Sequence, residues 1–144
     1  MSARTAPAVR ARDAAALVDL AYVPDRFVCG HFVMLTQAEL FGRLITLPTA
    51  YPLGRRGQAA VLGRLTAELA ERVDDPLTGD VAMYEQDDAD GGVHFHLGTV
   101  FVERGELWLL HLPANGRSVL QRETDVRLHG LRRVGFFRLL QETR

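Results

Sequence analysis

Between residues 12 and 20 the apolar positions Ala16, Leu17 and Leu20 recur at helical spacing, predicting a short amphipathic helix. Pro24 disfavours helix at Val23, so 22–26 reads as a loop. The clearest helix follows over 29–41, where Phe32, Val33, Leu35, Leu40 and Phe41 form an apolar face and Gly42 stands at the expected C-terminal cap. A loop with Pro48, Pro52 and Gly54 leads to a second predicted helix over 57–72, with Ala60, Leu62, Leu65, Leu69 and Val73 along its stripe. Beyond Pro76 and Gly79 the period shortens to that of strands. Residues 81–84 form one strand, and 87–92 are an acidic, glycine-containing loop. Residues 93–102 and 106–112 form a hairpin about Arg104-Gly105, and 118–122 and 133–139 supply two further strands. Helices first and an antiparallel sheet after them predict an α+β fold.

A chain of 144 residues suits one core and has no room for two. Residues 1–11, rich in Ala, Pro and Arg, read as a flexible lead-in to a single domain over 12–144. The 17 basic residues, all Arg, nearly cancel 18 acidic ones, which leaves no net field to draw nucleic acid or membrane. The apolar stretch 14–23 is broken by Asp19, so neither a signal peptide nor a spanning segment is expected, and the chain reads as cytoplasmic. With one cysteine no internal disulfide is possible, which leaves packing, reactivity or metal ligation for Cys29.

Cys29 opens the predicted helix, where free backbone N–H groups and the positive helix end favour a thiolate and could receive an oxyanion. A buried Cys that merely packs is the commoner arrangement. The histidines add weight. His94 and His96 are two apart on a predicted strand and share a face, while His111 ends the partner strand and can lie beside His96. A thiolate nucleophile needs a base within hydrogen-bond reach and a third group to orient that base. Cys29, His96 and His111 can fill those roles in that order.

The residue order resembles the NlpC-type cell-wall cysteine peptidases, which have a papain-like fold. In that family a catalytic Cys opens a helix after a Tyr-containing loop, matched here by Tyr22 and by Cys29-Gly30-His31-Phe32. A Gly-Asp step into a strand is matched by Gly79-Asp80-Val81, and a strand opening His-Val-Gly by His96-Leu97-Gly98. The His-containing strand end matches Leu110-His111-Leu112, and Gly116-Arg117-Ser118-Val119 suits the turn that follows. The similarity spans roughly residues 12–139. Two departures stand out: Val28 replaces the usual Asp, and Gly30-His31 replace Ser-Gly.

What the resemblance implies is a cofactor-free hydrolase of peptidoglycan stem peptides, with Cys29, His96 and His111 catalytic. Tyr22 and the backbone of Cys29 would form the oxyanion hole, and His31, His94 and Trp108 would line a groove. Short phage tail-associated members make a tail or cell-wall assembly a possible setting, and an inactive adaptor subunit of such a complex would share the same features. A third reading takes His94, His96 and His111 as metal ligands. The carboxylate that a cupin-like site wants shortly after its His pair is missing, since Thr99, Val100 and Phe101 occupy those positions.

Overall fold

The computed structural model describes residues 8–24, 26–47, 63, 68–87 and 91–140. A 3-10 helix (Ala11–Leu17) precedes helix α1 (Cys29–Phe41), and strands β1 (Ala70–Val73), β2 (Val81–Asp87), β3 (Val93–Glu103), β4 (Glu106–His111) and β5 (Val119–Arg122) follow. Helix α2 (Glu123–Leu128) and strand β6 (Arg132–Leu139) complete the order. The six strands form one antiparallel sheet in the order β1-β6-β2-β3-β4-β5, so the short β1 and β5 are its edges. The fold is therefore α+β, as the hydrophobic pattern predicts. No helix among the described residues is long and apolar enough to cross a membrane.

Helix α1 has the predicted bounds, and both ends have a local cause. At its start the Val28 N–H donates to the His31 Nδ1 at 3.2 Å, covering a donor that the helix cannot use. At its end Gly42 takes a φ of 65°, and the N–H groups of Gly42 and Arg43 close onto the carbonyls of Ala38 and Gln37. The hairpin between β3 and β4 turns at Arg104 and Gly105, both at positive φ, which matches the right-handed twist of the paired strands.

Three expectations need correction. The segment at 11–17 is a 3-10 helix that stops short of Leu20. Most of the predicted second helix (57–72) lies outside the described residues, and its end, Ala70–Val73, is strand β1, paired with β6 through Ala70–Leu139 and Val73–Phe136. Helix propensity there yields to ladder hydrogen bonds and to burial of Ala70 against Phe137 and Leu139. Helix α2 falls where the pattern predicts nothing, because six residues carry too little periodicity to read.

Strand alternation divides the core into two layers. On one face Val81, Met83, Phe95, Leu97, Phe137 and Leu139 pack with Cys29 and Val33 of α1. Phe101, Leu110 and Leu112 extend that face beneath Phe32, Ala14 and Leu17. On the opposite face Ala82, Tyr84, Val100, Leu109 and Phe136 pack with Val126 of α2 and with Leu131.

Gly98 lies on the second face. A Cβ there would stand 2.6 Å from Leu109 Cδ1 and 2.7 Å from its Cγ, and Leu109 is fully buried and has nowhere to swing. Gly98→Ala is expected to cost about 1–3 kcal/mol by overpacking, read as a lower urea midpoint at unchanged slope. In a Leu109→Ala background the same change should cost almost nothing. An equal penalty in both backgrounds would refute the contact as the cause.

Candidate functional site

His96 sits in the middle of the sheet, on β3 opposite Tyr84 of β2. His111, the last residue of β4, pairs with Gly98, so its ring projects from the same face one step along. Both are buried, at 6% and 3% exposure. Their rings meet edge to face with centroids 4.9 Å apart, and His96 Nε2 lies 2.7 Å from His111 Nδ1. The other His111 nitrogen, Nε2, lies 2.7 Å from Oε1 of Gln121. Gln121 of β5 pairs with Leu109 of β4 and so shares this face. A continuous relay thus runs His96–His111–Gln121 across three strands.

Burial keeps both rings neutral. The His96 pKa is pushed well below its ordinary value by desolvation first, and then by the neighbouring His111 and His94. Burial also lowers the His111 pKa, partly offset by the hydrogen bond with Gln121. The relay opens into a cavity of about 290 Å³ between the sheet and α2. Its polar wall is Gln86, His96, His111, Gln121 and His129, and its apolar wall is Pro113, Ala114, Val126 and Leu131. Among the described residues no Asp, Glu or Arg lines it.

Cys29 is elsewhere. It opens α1 as expected, but its cluster contains Phe95 and Leu97, the neighbours of His96 that point the other way. Successive side chains of a strand leave opposite faces, so the backbone of β3 separates the thiol from the imidazole. The groups acting on His96 are the other two histidines. The expected Cys29–His96 dyad is therefore not formed, whereas the expected pairing of His96 with His111 is. Sequence reading could place both groups on their elements, but not on faces, because the face against which α1 packs is a tertiary choice.

The remaining expected residues are dispersed. Tyr22 packs at the margin of the Phe32 cluster, with its backbone N–H donating to the Gly116 carbonyl; it thus lies on the α1 side with Cys29, across the sheet from the histidines. His31 caps the start of α1, and lines no groove with them. Trp108 also faces the α1 side, where it lines a separate, mainly apolar cavity of about 380 Å³ with Ala11, Val18 and Leu120. His94 lies on the His96 face, opposite Gln86, and is half-buried. Metal ligation by His96 and His111 together is disfavoured because each spends a nitrogen on the other, and no group of three candidate ligands occurs among the described residues.

Gln121, Gln86 and His129 were missed as site residues. A signal for Gln121 exists in the pattern: it is a polar residue at the inward position of a strand, two beyond Val119, which pairs with His111. Compared with known proteins, the chain matches no family model, no curated protein and no solved structure.

Proposed function

We propose that the chain is a binding domain whose ligand site is the histidine cavity, and that it does not work as a thiol hydrolase. The supporting observation is the relay His96–His111–Gln121, fully built on one sheet face and open to a cavity, with the lone thiol on the other face. The cavity is at the small end for ligand sites, so it suits a group the size of one or two amino-acid residues. Mixed apolar and hydrogen-bonding walls fit a peptide-like ligand. The resemblance to cell-wall peptidases makes a peptidoglycan stem peptide the first candidate, and an adaptor role in a tail or wall assembly its natural setting.

The thiol-hydrolase reading keeps one observation in its favour, the position of Cys29 as the first residue of α1. Incubation with muropeptides separates the two. The binding reading predicts saturable binding with no fragments released, unchanged in Cys29→Ala. Release by the wild type but not by Cys29→Ala would overturn it in favour of the hydrolase.

A further inference from the structure

We infer that Gln121 sets the hydrogen-bond polarity of the histidine cavity, so that the cavity accepts an uncharged ligand carrying an N–H or O–H donor in preference to a carboxylate. The inference rests on the binding reading above and deepens it to a ligand class: of the groups on a stem peptide, an amide N–H enters the cavity and the free carboxylates stay outside.

The argument follows protons along the relay. A carboxamide oxygen can only accept, so Oε1 of Gln121 at 2.7 Å requires a hydrogen on His111 Nε2. A neutral imidazole carries one N–H, which leaves His111 Nδ1 bare. That nitrogen accepts from His96 Nε2 at 2.7 Å, so the single hydrogen of His96 is on Nε2. His96 Nδ1 is left as a lone pair. No described residue hydrogen-bonds it, and no buried side-chain nitrogen or oxygen lacks a partner among the described residues, so this atom is reached from the cavity.

A ligand donor placed there completes the chain without moving a proton. A carboxylate would set lone pair against lone pair, with no Arg among the described wall residues to offset its charge. It would bind only by first protonating a ring that burial keeps neutral. Gln121 touches neither the cavity-facing nitrogen nor its ring. It acts through His111, which makes it a positioning residue, and turning its amide would reverse every donor in the relay.

Imidazole nitrogen NMR on the intact, ligand-free chain reads the tautomers directly. The expected result is Nε2–H on both His96 and His111. Nδ1–H on both would overturn the inference. Gln121→Glu, which as a carboxylate can only accept, should keep the pattern, and Gln121→Leu, which can neither donate nor accept, should lose it while the fold persists by amide NMR. Tautomers unchanged in Gln121→Leu would show that Gln121 does not set them. N-acetylalaninamide and N-acetylalanine serve as binding probes, and the amide is expected to bind at least about tenfold more tightly, the scale of one lost or mismatched buried hydrogen bond. Equal or tighter binding of the acid overturns the inference. Binding of neither, with the two tautomers as expected, overturns the ligand-site reading instead and leaves the relay assignment standing.

Discussion

Acidification from pH 6.5 to pH 5 is expected to remove about 2–3 kcal/mol of stability, through two imidazoles alone. In the unfolded chain His96 and His111 take up protons near the ordinary value of about 6.5. In the native state both are held below it, by burial first, and a proton added to His111 Nδ1 would also meet the His96 ring at 2.7 Å. Over this interval the unfolded state binds more protons, so stability rises with pH. It is fully present above about 6.5 and is lost as the pH falls towards the folded values. Each imidazole contributes a slope of about 1.4 kcal/mol per pH unit over its own window. His96, the more strongly shifted, contributes over more of this interval than His111. The carboxylates of exposed Asp87 and half-buried Glu103 are held below their usual range by Arg132 and Arg10, so their loss comes at still lower pH. Urea unfolding at stepped pH checks this. His111→Gln should flatten the slope by about one proton, and a wild-type slope near zero between pH 6.5 and 5 would contradict neutral buried rings.

Glu123→Leu is expected to cost about 2–4 kcal/mol and to open the wall of the cavity. Glu123 is the first residue of α2 and is only 2% exposed. Its carboxylate accepts from the Tyr84 hydroxyl at 3.0 Å, from Arg127 Nε at 3.0 and 3.1 Å, and from Arg133 Nη1 at 3.0 Å. Both arginines are a third or more exposed and can return to water, so their share is small. Tyr84 cannot, being fully buried. Desolvation and the adjacent Glu123 push its pKa upward, and an orphaned hydroxyl there costs about 1–3 kcal/mol. The rest is the hold on α2, since six residues do not form a stable helix alone. Glu123→Gln still accepts from Tyr84 and should cost distinctly less. In the double variant with Tyr84→Phe the penalty of Glu123→Leu should shrink, because no hydroxyl is left without a partner. A strictly additive cycle would refute the coupling.

Both effects arise on the sheet face that the sequence reveals least. The period-2 pattern of 93–102 and 106–112 and the Arg104-Gly105 turn make the hairpin legible, and the hairpin alone suffices to bring His96 beside His111. Helix α1 is legible from its apolar face and from Gly42. What could not be read is which histidine face looks at α1. That depends on the packing of Phe95 and Leu97, rather than His96, under the helix, and a strand with apolar residues on both faces gives no hint of it. Glu123 reads as an ordinary surface acid, because only the tertiary approach of Tyr84 and Arg133 buries it. Ala70–Val73 reads as helix because its partner strand is more than 60 residues away.

The outermost strands carry a different consequence. β1 and β5 are four residues each, and each bears an arginine, Arg72 and Arg122, with Glu71 beside the former. Brevity and charge make poor templates for a strand from another molecule. Lateral growth of the sheet by edge-to-edge self-association is thereby discouraged.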